Sequence, residues 1–173
     1  IVLKRRDNAP IVKDVYGGVI DILMKEKNIE SAIKFLQDCL ENIVKEKYSM
    51  DKLIITKSVR GYYKKPRQIA HKVLADRITA RDPGNKPKSG DRIPYVFIIN
   101  ENKKALQGDK IELPEFIIAN KLKIDYAHYI TNQIMKPIQQ LFALVLYEIP
   151  AFKNKLGKMK RFIKELDNLK KTL

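Results

Sequence analysis

Apolar residues recur at three- and four-residue spacing in five stretches of the chain, a pattern that predicts a largely helical protein. Val12, Val15, Val19, Ile22 and Leu23 mark a helix over about Lys13–Glu26. Gly17-Gly18 weakens it, because glycine inside a helix costs about 1 kcal/mol relative to alanine. Ile29, Ile33, Leu36, Leu40 and Ile43 form one stripe over Ile29–Lys47, with Asn28 suited to the N-cap and Glu30 to the first turn. Ile69, Val73, Leu74 and Ile78 give a third helix its apolar face, with Pro66 near its first turn. Tyr126, Ile130, Ile134, Ile138, Leu141, Phe142 and Val145 predict a long helix over Tyr126–Glu148, capped by Asp125 and kinked or broken at Pro137. Beyond Pro150, Phe152, Leu156, Met159, Phe162, Ile163, Leu166 and Leu169 line one face of a lysine-rich helix.

Strand signals are fewer. Leu53–Thr56 and Ile93–Ile99 are apolar and β-branched, and Asn100–Lys104 is a polar turn leading toward Ile111-Glu112-Leu113, a candidate hairpin partner. Pro114 opens a short helical run through Leu122. The fold class is therefore mostly α with a small antiparallel β element, α+β.

A chain of 173 residues can bury a core, and no run approaches the roughly 18 apolar residues needed to cross a membrane. The single cysteine, Cys39, excludes an internal disulfide and a cysteine-based zinc cluster, and its apolar neighbours predict a buried structural thiol. The opening, IVLKRRDNAP, reads like the middle of a longer protein. Neither a Walker loop nor metal-ligand spacing occurs, and His71 and His128 have no cysteine or serine constellation beside them, so no catalytic residue and no metal ligand is assigned.

Charge changes the picture. The chain carries +15, of which Lys57–Arg92 holds +8 and residues 151–173 hold +6. The cations of the first block are Lys57, Arg60, Lys64, Lys65, Arg67, Lys72, Arg77, Arg81, Lys86, Lys88 and Arg92, with Tyr62 and Tyr63 among them. Clustered cations with interleaved tyrosines are the electrostatic footprint of a nucleic-acid surface, against the plainer reading of a solvated basic face. Arg67, Gln68, His71 and Lys72 gather near a helix N-terminus, whose spare N–H groups can seat a phosphate. Asp82–Asp91 is rich in turn formers and predicts an irregular loop.

Four stretches resemble the thumb subdomain of family B DNA polymerases of the delta and large-DNA-virus types. Arg5-Arg6-Asp7-Asn8-Ala9-Pro10 is similar to an RRDNxP segment at the end of the palm, and Gln68–Arg77 is similar to a QxAHxxLAxR helix. Arg81-Asp82-Pro83-Gly84 through Gly90-Asp91-Arg92-Ile93-Pro94-Tyr95-Val96 resembles RDPG…GDRVPYV, and Ile124-Asp125-Tyr126 through Lys136-Pro137 resembles IDxxYYxxxQxxKP. The resemblance implies the end of a palm at 1–12, a helical-bundle thumb at 13–150 and a basic amphipathic helix at 151–173. It also implies that Lys57–Arg92, with Tyr95, contacts primer–template duplex. The rest of the polymerase and a processivity factor would be protein partners, with no membrane. The Mg2+ would sit in the parent enzyme's active site and not in this chain. The nucleus or a viral replication site would be the location. YGDTDS and SLYPS signatures and a cysteine-rich module are absent, so Asp14, Asp21, Asp76 and Asp91 are not given catalytic roles. A stand-alone nucleic-acid-binding module and a partner-binding scaffold are the alternatives.

Overall fold

A computed structural model describes residues 2–148 and Lys164. The element order is α1 (Pro10–Lys25), α2 (Ile29–Val44), β1 (Ile55–Ser58), α3 (Ala70–Arg81), β2 (Arg92–Phe97), β3 (Ile111–Glu112), α4 (Pro114–Asn120), α5 (Tyr126–His128) and α6 (Met135–Glu148), with a π-helical stretch at Tyr129–Ile134. The protein is mostly helical with one small antiparallel sheet, as the pattern predicts. It divides into two compact units.

The first unit holds residues 2–4, 11–49 and the described chain from Tyr126 on. Val12, Val15, Val19 and Leu23 of α1 are buried, as are Ile29, Leu36, Leu40 and Ile43 of α2. α1 begins three residues before the predicted start, at Pro10, where the missing N–H costs nothing. Asn28 caps α2 as expected, its Oδ1 accepting from Glu30 N (3.0 Å) and Ser31 N (3.3 Å). Gly18 has a packing reason: a Cβ there would lie 2.3 Å from Cζ of Phe35 in α2. Cys39 is buried, and burial pushes its thiol pKa up.

The long C-terminal helix departs from expectation. The predicted disturbance falls one turn before Pro137, as a π-helical stretch in which Met135 N–H reaches back to Ile130 O. Pro137 has no N–H and its ring crowds the carbonyl four residues earlier, at Gln133, so widening that turn relieves both problems. The apolar stripe continues through the change, with Ile130, Ile134, Ile138, Leu141 and Phe142 buried. Apart from Lys164, the expected basic amphipathic helix at 151–173 lies outside the described residues.

The second unit holds residues 5–10 and 50–125. Its sheet has the order β1-β2-β3, with Ile55 opposite Tyr95, Ser58 opposite Arg92, Val96 opposite Glu112 and Phe97 opposite Ile111. The β2–β3 hairpin matches the sequence reading. The first strand does not: Leu53 is buried at the end of a 3-10 turn (Met50–Lys52), and the ladder starts at Ile55 and runs on to polar Ser58. α3 buries Leu74 and Ala75, while Ile69, Val73 and Ile78 are half-buried. Pro66 opens a separate 3-10 turn (Pro66–Gln68) ahead of α3.

A deeply buried acid fastens α3 to the hairpin. Glu112 is 3% exposed; it accepts from Arg77 Nε at 3.0 Å and is bridged by both terminal nitrogens of Arg81. Arg77 also donates to Gly108 O (3.0 Å) and Ile111 O (2.6 Å). Burial pushes the Glu112 carboxyl pKa up, but the Arg81 and Leu113 N–H hydrogen bonds and the Arg77 and Arg81 charges outweigh it, leaving the pKa lowered.

Candidate nucleic-acid interface

All fifteen candidate residues belong to the second unit, and two short hydrogen bonds organise them. Past Ser58 the chain turns at Val59, whose side chain is buried. Val59 N–H donates to Asp91 O at 2.9 Å, and Gly90 N–H donates to Val59 O at 2.7 Å. Asp91 closes its own turn, donating its N–H to Lys88 O (3.0 Å) and accepting Lys88 N–H on Oδ2 (2.8 Å). Gly90 sits at φ +93°, a region that L side chains rarely adopt. Gly61 faces Ser89, with 3.5 Å between a Cβ built on Gly61 and Ser89 Oγ. The cationic run after β1 and the cationic loop before β2 therefore share one edge of the unit.

On that edge Arg60, Tyr62, Lys64, Lys65, Arg67, Gln68, Lys86 and Lys88 are exposed, Tyr62 to 80%. Among the described residues, Lys64, Lys65, Arg67, Lys86 and Lys88 have no carboxylate within ion-pair distance. Lys57 is half-buried in β1 and contributes charge to the surroundings of His71 and Asp7. Arg92 is exposed but held: Nη2 donates to Thr56 O (2.9 Å) and Thr56 Oγ1 (3.0 Å), and Nη1 donates to Ser58 Oγ (3.2 Å). Lys72 pairs with Asp76 at 2.6 Å one helical turn on.

Three candidates are placed differently. Tyr95 is 3% exposed, packs edge-on against Phe97 at 5.8 Å, and has its pKa pushed up to about 12 by burial and by the Asp7 charge. Arg81 is engaged by Glu112 and stacks over the Phe116 ring at 3.5 Å, so its guanidinium serves the fold. Tyr63 turns its hydroxyl inward: it accepts Arg60 N–H at 2.8 Å and lies 3.1 Å from His71 Nε2. Burial, then the Lys57 and Arg60 charges, lowers the His71 pKa.

Beside this edge an open cleft of about 540 Å³ has Ile78, Pro87, Pro94 and Leu113 among its walls, together with Lys86 and Arg92. Among the described residues no group of three or more His, Cys, Asp or Glu side chains could hold a metal ion. No helix of the described residues is long and apolar enough to cross a membrane. Sequence reasoning missed the Glu112 network, although a lone acid between Ile111 and Leu113, with Arg77 and Arg81 four residues apart on one helix, is a readable signal. It also missed the Val59–Asp91 tie, which leaves no trace in side-chain chemistry.

Comparison with known proteins gives a consistent picture. The family model of DNA polymerase family B matches residues 1–145. The chain is 59% identical over 152 residues to a DNA polymerase of Pyramimonas orientalis virus, covering 87% of this chain and 13% of that protein. It is 52% identical over 151 residues to a DNA polymerase of Acanthamoeba polyphaga mimivirus, covering 84% and 9%. It is 35% identical over 143 residues to the DNA polymerase delta catalytic subunit of Caenorhabditis elegans, covering 82% and 13%. The chain thus spans only 9–13% of the length of these relatives. In fold, 83% of it is similar, with a TM-score of 0.62 and 22% identity, to 18% of the family B DNA polymerase from the hyperthermophilic archaeon Pyrobaculum calidifontis. Together with the RRDNAP, RDPG and GDRIPYV segments, now seen on the second unit, these matches place the chain in DNA polymerase family B.

Proposed function

We infer that this chain is the thumb of a DNA-directed DNA polymerase, with residues 1–12 as the end of the palm and 13–150 as the thumb. In this reading its cationic edge grips the primer–template duplex while bond formation, with its Mg2+, belongs to another part of the parent protein. The observation that carries it is the pair of hydrogen bonds from Val59 N–H to Asp91 O and from Gly90 N–H to Val59 O. They hold two cationic runs on one edge, as a continuous phosphate-binding surface requires.

A replicative grip must accept any sequence and allow the duplex to move on. Phosphate contacts and groove shape meet the first need. Many weak, screened contacts from mobile lysines meet the second, since each can break alone as the backbone advances. Arg60, Lys64, Lys65, Arg67, Lys86 and Lys88 are the contact residues of this reading, with Tyr62, Gln68 and Lys57 beside them. Arg92 fixes the edge to β1, Tyr95 supports it from within, and Arg81 is held at the surface by Glu112 and the Phe116 ring. The tail at 151–173 is assigned to DNA or to a processivity factor, and the setting to the nucleus or a viral replication site.

Primer extension by the intact protein tests the assignment. Neutralising Lys64, Lys65 and Arg67 together shortens synthesis runs and leaves single-nucleotide addition on an already bound duplex close to wild type. Unchanged run length would show that the grip lies elsewhere.

A further inference from the structure

We propose that Tyr63 and His71 form a latch that sets the path of the basic loop Arg60–Lys65, acting as positioning residues and not as DNA contacts. The proposal rests on the duplex-gripping reading above and deepens it.

The geometry is a closed relay. Tyr63 Oη accepts the backbone N–H of Arg60 at 2.8 Å, three residues back along the same loop. The same hydroxyl lies 3.1 Å from Nε2 of His71, in the first turn of α3, and the two rings meet edge-on at 5.9 Å and 83°. One tautomer satisfies both contacts: bare Nε2 accepts Tyr63 O–H, and Tyr63 Oη accepts Arg60 N–H. The neutral ring this requires is favoured by burial and by the Lys57 and Arg60 charges.

The relay thus ties the loop, at Arg60 and Tyr63, to the start of α3 at His71. Tyr62 and Lys64, on either side of Tyr63, are left exposed. A loop held this way before DNA arrives loses less conformational freedom on binding. The benefit is affinity without an added phosphate contact.

Tyr63→Phe in the intact protein separates this from a contact role, because it keeps the ring and removes only the hydroxyl. Three readouts are needed: amide hydrogen exchange at Arg60, duplex affinity by fluorescence anisotropy, and the log–log dependence of that affinity on salt. The expected result is faster exchange at Arg60 and duplex binding roughly three- to thirty-fold weaker, the range for losing one or two net hydrogen bonds, at an unchanged salt slope. His71→Ala should behave alike, whereas His71→Gln, which offers a carbonyl acceptor of similar reach, should keep most of the affinity. A salt slope shallower by about one for His71→Ala would mean that His71 meets a phosphate as a cation and would overturn the latch. Unchanged Arg60 exchange, unchanged affinity, or equal losses for His71→Ala and His71→Gln would overturn it as well. Failure of the wild-type protein to bind duplex would sink the grip itself, while Arg60 exchange would still decide whether the latch exists.

Discussion

Val59 and Asp91, thirty-two residues apart, meet through an N–H to carbonyl hydrogen bond of 2.9 Å, and the return bond from Gly90 to Val59 O is 2.7 Å. This exchange joins the two halves of the basic edge. It depends on Gly90, whose φ of +93° a side chain would strain. Gly90→Ala is expected to cost about 1–3 kcal/mol of stability, the range for a non-glycine residue held in such a region. The denaturant midpoint should fall at constant m, and duplex affinity should fall with it. A midpoint equal to wild type would mean that the turn relaxes freely and does not tie the edge.

Glu112→Gln removes the charge that Arg77 and Arg81 share. The expected loss is about 2–3 kcal/mol, below that of a fully enclosed pair because the two guanidinium side chains keep 26% and 32% exposure. Removing all three charges together, with apolar replacements of matching volume, should cost less than the single change. Chemical denaturation of the single and triple variants checks both statements.

Stability should fall on acidification in two separate windows. The His71 pKa is lowered by burial and by the Lys57 and Arg60 charges, so between its folded and unfolded values the unfolded chain binds more protons. This contribution is present above the ordinary histidine pKa and is lost as pH drops through the folded one. Glu112, also lowered, contributes above the ordinary carboxylate pKa and loses that contribution at lower pH. Denaturant midpoints measured from about pH 8 to about pH 3 should therefore fall twice. His71→Gln should abolish only the upper fall.

Gly18→Val tests the close approach of α1 and α2. Its Cβ would begin 2.3 Å from the Phe35 ring, so a loss of about 1–3 kcal/mol is expected from overpacking, despite the better intrinsic helix propensity of valine. A double variant with Phe35→Leu should recover part of it. A stabilised Gly18→Val protein would show that the two helices do not meet there.

Helices were legible because their stripes repeat every three to four residues, and most of the buried faces of α1 and α2 follow from the spacing, although Ile22 and Ile33 of the stripes are only half-buried. β1 was not, because hydropathy reports burial and not ladder pairing. Leu53 is buried without being in the strand, while Ser58 is polar and exposed yet pairs with Arg92. At Pro137 the missing donor was legible, but not that a π-helical stretch upstream would absorb it. Charge located the basic block and could not sort its members. Tyr95 carries the same chemistry as Tyr62, and Arg81 the same charge as Lys64; burial beside Phe97 sets Tyr95 apart, and the Glu112 bridge with the Phe116 ring sets Arg81 apart.

The salt dependence of duplex binding by the intact protein, measured for wild type and for the Lys64→Ala/Lys65→Ala/Arg67→Ala variant, bears most directly on the central claim. With about six phosphates neutralised, the wild-type log–log slope should lie near −5, and the variant's should be shallower by about 2–3, close to one per phosphate lost. Identical slopes for the two proteins would contradict a grip built on this edge.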